Sequence, residues 1–141
     1  MITSETYWQV PRRDVAYAGE CTDEIKANAV ETVRRGNIVI ALYEAATGDK
    51  VEHVNSGWRP KSVNDVTPNA SKTSWHLVGK AVDLRDNGDV LDKWLDTAAG
   101  EAALEQANVW REHPSATHWW CHLQTEPPRG WQPGMSRTFY P

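Results

Sequence analysis

Residues 74–84 have the sequence SWHLVGKAVDL, and the rest of the chain can be arranged around this segment. His76 and Asp83 are seven residues apart, so one unbroken strand would point their side chains to opposite faces. The chain must bend if both side chains are to reach one site, and Gly79 can supply the bend because it has no Cβ. Residues 80–84 are then predicted to form a short strand after the bend.

The predicted strand has two different faces. Ala81 and Asp83 share one face, whereas Val82 and Leu84 share the other, which is expected to be buried. Ala81 is small, so it would leave room for a metal ion beside the carboxylate of Asp83.

A second cluster, HWWCHLQ, occupies residues 118–124 and is predicted to form a buried strand. Its last histidine, His122, is expected to join His76 and Asp83 at one site, which then offers two imidazoles and a carboxylate. Zinc in catalytic sites usually takes three protein ligands and leaves a fourth position for water. The trio is therefore interpreted as a zinc site that is open on one side.

The pattern S-x-H-x-x-G-x-A-x-D, from Ser74 to Asp83, follows an S-G-x-R segment that ends at Arg59, and it precedes a W-x-H segment that ends at His122. This combination resembles the zinc D-alanyl-D-alanine carboxypeptidases and L-alanyl-D-glutamate endopeptidases. These enzymes cut the peptide stems of bacterial peptidoglycan. The group includes phage endolysins and vancomycin-resistance dipeptidases, and hedgehog signalling domains share its fold. The resemblance covers residues 22–141.

The resemblance implies a role for each residue of these motifs. His76, Asp83 and His122 would be the zinc ligands. Arg59 would bind a carboxylate or carbonyl group of the substrate, and Ser74 would form a hydrogen bond with the substrate nearby. The implied cofactor is Zn²⁺, and the implied partner is a peptidoglycan peptide.

The general base departs from the pattern of this family. Many members have a glutamate three residues before the last ligand, where this chain has Trp119, and others have a histidine two residues before it, where this chain has Trp120. His118 is one candidate, because strand alternation would place it on the face of the last ligand. Glu112 is the other, because a predicted hairpin turn would return it to the site. Both candidates remain open.

Length and composition limit the alternatives. A chain of 141 residues suits a single domain, and we expect a monomer. The formal net charge of −4 lacks the basic footprint of a nucleic-acid-binding protein. No run of about 18 apolar residues is present, so no membrane span is predicted.

The first ten residues, MITSETYWQV, lack the basic and apolar regions of a secretory signal. For a protein that acts on the cell wall, this favours synthesis in the cytoplasm and action after lysis or from a phage particle.

Cysteine and tryptophan have simple interpretations. The spacing of Cys21 and Cys121 does not indicate a disulfide, and Cys121, adjacent to a proposed ligand, is expected to face away from the metal as a small buried residue. Most of the eight tryptophans are expected in the core. Trp75 and Trp120 flank proposed ligands and are expected to line the substrate cleft.

The chain divides into an N-terminal arm, residues 1–21, and a single zinc peptidase-like domain, residues 22–141. The arm is expected to pack over the domain through Tyr7 and Trp8. A helix is predicted from Thr22 to about residue 46, and the alternative is a break at residue 36 followed by a strand at 38–42.

A helix is predicted at 88–95, with Val90, Leu91 and Trp94 facing inward, and it continues helically at 99–107. A polar loop is predicted at 62–74. Short strands are predicted at 51–55, 109–112, 118–125 and 137–140. This order predicts an α+β fold in which helices pack on one face of a small antiparallel sheet, as in hedgehog and the D,D-peptidases.

Two other functions remain open. The first is a non-catalytic, zinc-stabilised module, such as a phage structural or cell-wall-binding component, which the missing glutamate favours. The second is a cell-wall-binding module without metal. Bound metal separates the metal-free module from the other two functions, and turnover separates the enzyme from the non-catalytic module.

Overall fold

The computed structural model describes residues 1–141 and contains six helices and five strands. The helices are α1 Ser4–Trp8, α2 Arg13–Ala16, α3 Asp23–Thr47, α4 Lys61–Val66, α5 Val90–Leu95 and α6 Ala98–Ala107. The strands are β1 Val54–Ser56, β2 Ala81–Arg85, β3 Trp110–Glu112, β4 Trp120–Gln124 and β5 Thr138–Phe139. A 3₁₀ helix, Trp75–Val78, lies just before β2.

Helix α3 is continuous, which confirms the prediction of a single long helix. The hydroxyl of Thr22 accepts a hydrogen bond from the backbone N–H of Ile25 at 3.2 Å and caps the first turn. The helix ends at Gly48, whose φ of 81° is left-handed. Gly36 lies inside the helix, so packing outweighs its cost of about 1 kcal/mol relative to alanine. None of the six helices combines the length and the apolar character that a membrane crossing requires.

The five strands form one sheet in the order β1-β2-β4-β3-β5. Strand β2 pairs with β1 and β4, and β3 pairs with β4, all in antiparallel directions, whereas β3 and β5 are parallel. The mixed helix and strand content agrees with the predicted α+β class. The prediction of a wholly antiparallel sheet is wrong at β5, because the tail of the chain returns along β3. The likeness to the hedgehog fold stays a prediction.

The central strands separate the core from the side chains of Asp83 and His122. Val82, Leu84, Cys121 and Leu123 belong to the main hydrophobic cluster together with residues of α3. Register partners in an antiparallel pair share a face, so the alternate residues of the same strands point to the opposite face. Cys121 is therefore on the core side, and both cysteines are free thiols, as expected from their spacing.

The N-terminal residues contribute to the same cluster. Ile2, Tyr7 and Trp8 are buried in it. The hydroxyl of Tyr7 donates to the backbone carbonyl oxygen of Gly79 at 2.9 Å and lies 3.2 Å from that of Ala81. The first 21 residues are thus attached to the chain on both sides of the bend that precedes β2.

Two predictions for residues 61–97 are wrong in part. The polar loop predicted at 62–74 contains helix α4, which buries Asn64 and not an apolar stripe. Val90 was expected to point inward, but it is 46% exposed. The helical segment predicted at 99–107 is a separate helix, α6, which is capped by Thr97: its hydroxyl accepts from the N–H of Gly100 at 3.2 Å.

Several predicted ends also differ from the structure. Strand β4 begins at Trp120 and not at residue 118, because Trp119 has a left-handed φ of 76°. The cap of α5 is Asp86: its carboxylate accepts from the N–H groups of Val90, Leu91 and Asp92 at 2.9, 3.0 and 2.9 Å. The strands predicted at 51–55, 109–112 and 137–140 are present but shorter or shifted by up to three residues.

Candidate metal centre

The 3₁₀ helix places His76 at the site. The hydroxyl of Ser74 accepts from the backbone N–H of His76 at 3.3 Å and caps the turn. Gly79 ends the turn with a φ of 77°, which confirms the predicted bend. The carbonyl of Gly79 accepts from the hydroxyls of Tyr7 and Thr32 at 2.9 and 2.8 Å, so the bend is anchored to α1 and α3.

A hydrogen bond of the Nδ1 atom fixes the orientation of the His76 ring. The Nδ1 atom lies 2.7 Å from the carbonyl oxygen of Gly57, which can only accept a hydrogen bond. Nδ1 therefore carries a proton, and Nε2 faces Oδ1 of Asp83 at 3.2 Å. A backbone carbonyl that fixes the tautomer in this way is a common support of a metal-bound histidine.

Asp83 and His122 are directly opposite each other in the β2–β4 ladder. The Nδ1 atom of His122 lies 2.8 Å from Oδ1 of Asp83. Its Nε2 atom lies 3.4 Å from Oε1 of Gln124, whose side-chain amide donates in turn to the carbonyl of Glu126 at 2.6 Å. The ring therefore presents Nδ1 to the carboxylate, and Nε2 can donate to Gln124.

The structure brings the three predicted ligands together. One ligand atom from each of His76, Asp83 and His122 lies within 4.8 Å of the others, and all three residues are buried. Ligand bonds of about 2.0–2.1 Å in a tetrahedral zinc site separate the ligand atoms by roughly 3.3 Å. The separations of 3.2 and 2.8 Å from Oδ1 of Asp83 are close to this value. The group could therefore hold a metal ion.

The carboxylate of this cluster is held in its ionised form. Burial by itself would raise the pKa of Asp83, but the adjacent imidazoles of His76 and His122 outweigh it and hold this pKa well below its usual value. Burial likewise works to lower the pKa of His122, but the hydrogen bond and charge of Asp83 outweigh it, so the pKa is raised. An ionised carboxylate thus lies between two imidazoles.

The two candidate bases occupy different places. Strand β3 pairs Trp110 with Gln124 and Arg111 with Leu123, so the next position of the register places Glu112 opposite His122. The negative charge of Glu112 is one of the causes that raise the pKa of His122, as expected for close neighbours.

His118, by contrast, lies exposed in the turn before β4. Strand alternation does not place it on the face of His122, because the strand begins two residues later.

The predicted substrate-binding residues surround His76 and His122. The guanidinium of Arg59 donates to Oδ1 of Asn64 at 3.3 Å and to the hydroxyl of Ser56 at 3.4 Å. Trp75 is 36% exposed beside His76. Trp120 is partly buried and is two residues before His122, hence on its face of the sheet. The hydroxyl of Ser74 accepts from His76 as the cap described above, and its O–H remains free to donate.

Sequence reasoning missed two polar supports of the site. Gln124 could have been found, because it is two residues after His122 and strand alternation places both on one face. The carbonyl of Gly57 left no signal of its own, since a backbone contact does not depend on a side chain.

Comparisons of the chain with protein-family models, with curated proteins and with solved structures found no match. The resemblance described for residues 22–141 therefore stays a prediction.

Proposed function

We propose that this protein is a zinc-dependent peptidase that hydrolyses peptide stems of bacterial peptidoglycan, either as a D-Ala-D-Ala carboxypeptidase or as an L-Ala-D-Glu endopeptidase. The observation that carries the proposal is the buried convergence of His76, Asp83 and His122. Two imidazoles and one carboxylate form a donor set typical of catalytic zinc, which keeps a fourth position for water.

The three ligands would hold the metal on one face of the sheet, beside the central pair of the β2–β4 ladder. Zinc bound there would lower the pKa of its water to about 7 and polarise the scissile carbonyl. The hydrogen bonds from His76 to Gly57 and from His122 to Gln124 would keep both rings in their binding orientation.

Glu112 is the base that the geometry favours. It lies on the same face as His122, at the neighbouring position of β3. A carboxylate at this place can take the proton of the attacking water and return it to the leaving amine. His118 is the second candidate, although it lies in the exposed turn before β4.

The substrate would be held by residues around His76. Arg59 presents a planar guanidinium, which suits a carboxylate of the peptide stem. Trp75 and Trp120 would line the cleft on either side of the ligands. The protein would act at the bacterial cell wall as a monomer, without nucleic-acid or membrane partners.

One observation favours a second function. The residue three before His122 is Trp119, which is 67% exposed and cannot take a proton. If Glu112 does not replace the missing carboxylate, the chain is a non-catalytic, zinc-stabilised module of a phage particle or of a wall-binding protein. A wall-binding module without metal is the third possibility.

The decisive experiment measures metal content and turnover together. Protein purified without added zinc is analysed for metal, and release of D-Ala or stem fragments from purified cell wall is followed. The matched variants are Asp83→Asn and Asp89→Asn; Asp89 is away from the site and its side chain makes no capping bond. We expect about one zinc per chain and turnover in the parent and in Asp89→Asn, and neither in Asp83→Asn.

The outcomes separate the three functions. Zinc without turnover on any wall substrate favours the non-catalytic module. Less than half an equivalent of zinc, with no uptake when zinc is added, contradicts both zinc-dependent functions.

A further inference from the structure

We propose that Arg13 of the N-terminal segment acts together with Arg59 as a two-guanidinium subsite for a free carboxylate of the substrate. The inference deepens the proposed function and rests on it, since it assigns a substrate group to this side of the metal centre. It makes the first 21 residues part of the binding site.

The packing of the N-terminal segment brings Arg13 to the S-G-x-R segment. The backbone of Tyr7 lies so close to Gly57 that a Cβ on that glycine would be 2.0 Å from the Tyr7 carbonyl oxygen. Trp8 and Trp58 pack edge to face, with ring centroids 5.9 Å apart. From α2, Nη1 of Arg13 donates to the backbone carbonyl of Trp58 at 3.3 Å. Arg13 is thus attached to the residue that precedes Arg59.

Arg59 is held from the other side by neutral groups. Its guanidinium contacts only the oxygens of Asn64 and Ser56, at 3.3 and 3.4 Å, and these two bonds leave N–H donors free. Its backbone N–H donates to the carbonyl of His76 at 3.1 Å. The residue is therefore adjacent to a proposed metal ligand through the main chain.

Neither guanidinium has an acidic partner. The ion pairs of the chain include Arg12 with Asp14, but none involves Arg13 or Arg59. Both residues are partly buried. Arg13 bonds to the carbonyl of Trp58, the residue before Arg59, and this contact links the two cations geometrically. Burial lowers the pKa of Arg13, and the positive charge of Arg59 lowers it further.

Two neighbouring cations without a carboxylate are unfavourable until an anion binds between them. Guanidinium groups pair with carboxylates through parallel N–H···O bonds, and these charge-assisted bonds are stronger than neutral ones. A peptide stem ends in such a carboxylate. The subsite therefore favours substrates with a free carboxylate close to the scissile bond, on the His76 side of the metal.

The test compares an acid with its amide, and needs no turnover. N-acetyl-D-alanine and N-acetyl-D-alaninamide are titrated into the zinc-loaded protein, and binding is followed by NMR. We expect the acid to bind at least about tenfold more tightly, the difference that one charge-assisted bond supplies. Arg13→Gln should reduce this preference about fivefold or more. Arg12→Gln is the matched control, because Arg12 is adjacent in sequence and already paired with Asp14; it should leave the preference unchanged.

Each outcome decides the proposal. Equal affinity of the acid and the amide for the parent protein overturns it, as does a preference that Arg13→Gln leaves intact. A preference that depends on Arg13 in a protein that cuts no wall peptide supports the subsite and rejects the peptidase, so the two failures are distinguishable.

Discussion

The Nδ1 atom of His76 lies 2.7 Å from the carbonyl oxygen of Gly57, although the two residues are 19 positions apart. The reciprocal main-chain bond, from the N–H of Arg59 to the carbonyl of His76, measures 3.1 Å. The S-G-x-R and S-x-H segments are therefore one physical unit. The first segment fixes the tautomer of the ligand and presents a guanidinium beside it.

Gly57→Ala should damage this unit. The added Cβ would lie 2.0 Å from the carbonyl oxygen of Tyr7, a backbone atom that cannot move without shifting α1. We expect a loss of about 1–3 kcal/mol in the free energy of unfolding, typical of overpacking, and weaker zinc binding. Denaturant unfolding and zinc titration measure the two effects. Gly19→Ala is the control, because no atom lies within 4 Å of its added Cβ. Equal stability of the two variants would contradict the close packing.

Gln124→Ala tests the support of His122. Oε1 of Gln124 is the hydrogen-bond partner of Nε2 of His122, so the substitution should free the imidazole ring. Zinc binding should weaken about 10- to 100-fold, as it does when residues that hydrogen-bond to metal ligands are removed. Competition with a chelator measures the affinity, and circular dichroism checks the fold. Gln106→Ala, on the exposed side of α6, should bind zinc as the parent does. An unchanged affinity in Gln124→Ala would mean that Gln124 does not orient the ring.

Glu112→Gln separates catalysis from metal binding. If Glu112 is the base, turnover on cell wall should fall by about 10²-fold or more, while the zinc content stays that of the parent. His118→Ala should change turnover little, because His118 lies in the exposed turn. The reverse ranking of the two variants would assign the base to His118, and near-normal turnover in both would exclude both residues.

Asp92→Asn should change how stability depends on pH. Asp92 is fully buried beside Arg111, with 3.1 Å between the charged atoms, and burial raises its pKa to about 6. In the unfolded chain the pKa of an aspartate is about 3.9, so the folded state binds more protons than the unfolded state between pH 4 and 6. Because of this difference, Asp92 makes the free energy of unfolding fall as pH rises through that range.

The difference of about two pKa units between the folded and unfolded states corresponds to a change of about 3 kcal/mol in the free energy of unfolding. Denaturant unfolding of parent and Asp92→Asn at pH 4, 5, 6 and 7 measures it: the stability of the variant relative to the parent should rise from pH 4 to pH 7. A constant difference would show that Asp92 stays ionised throughout.

Much of the architecture around the ligands follows from local sequence signals. The Thr22 cap and the Gly48 stop delimit α3, and alternation in residues 81–85 separates Asp83 from the core side chains. The spacing across Gly79 required a bend, and its left-handed φ supplies one. These features depend on neighbours in sequence, which is why the sequence reveals them.

Features that depend on distant contacts were not predictable. Helix α4 has no apolar stripe, and Asn64 is buried because its amide donates to the carbonyl of Ser71 at 3.1 Å and its oxygen accepts from Arg59. The left-handed φ of Trp119 has no sequence signal, since tryptophan is not typical of that conformation. Arg13 reaches Trp58 across 45 residues, a contact that no local pattern indicates.

The pairing of Asp83 with His122 has a kinetic consequence. The two ligands are 39 residues apart in sequence and become neighbours only when β4 has docked on β2. Contacts that close such a long loop are expected to form late in folding, after local structure such as α3. If the site binds zinc, the metal should therefore stabilise contacts that form after the rate-limiting step. It should slow unfolding strongly and leave the refolding rate almost unchanged.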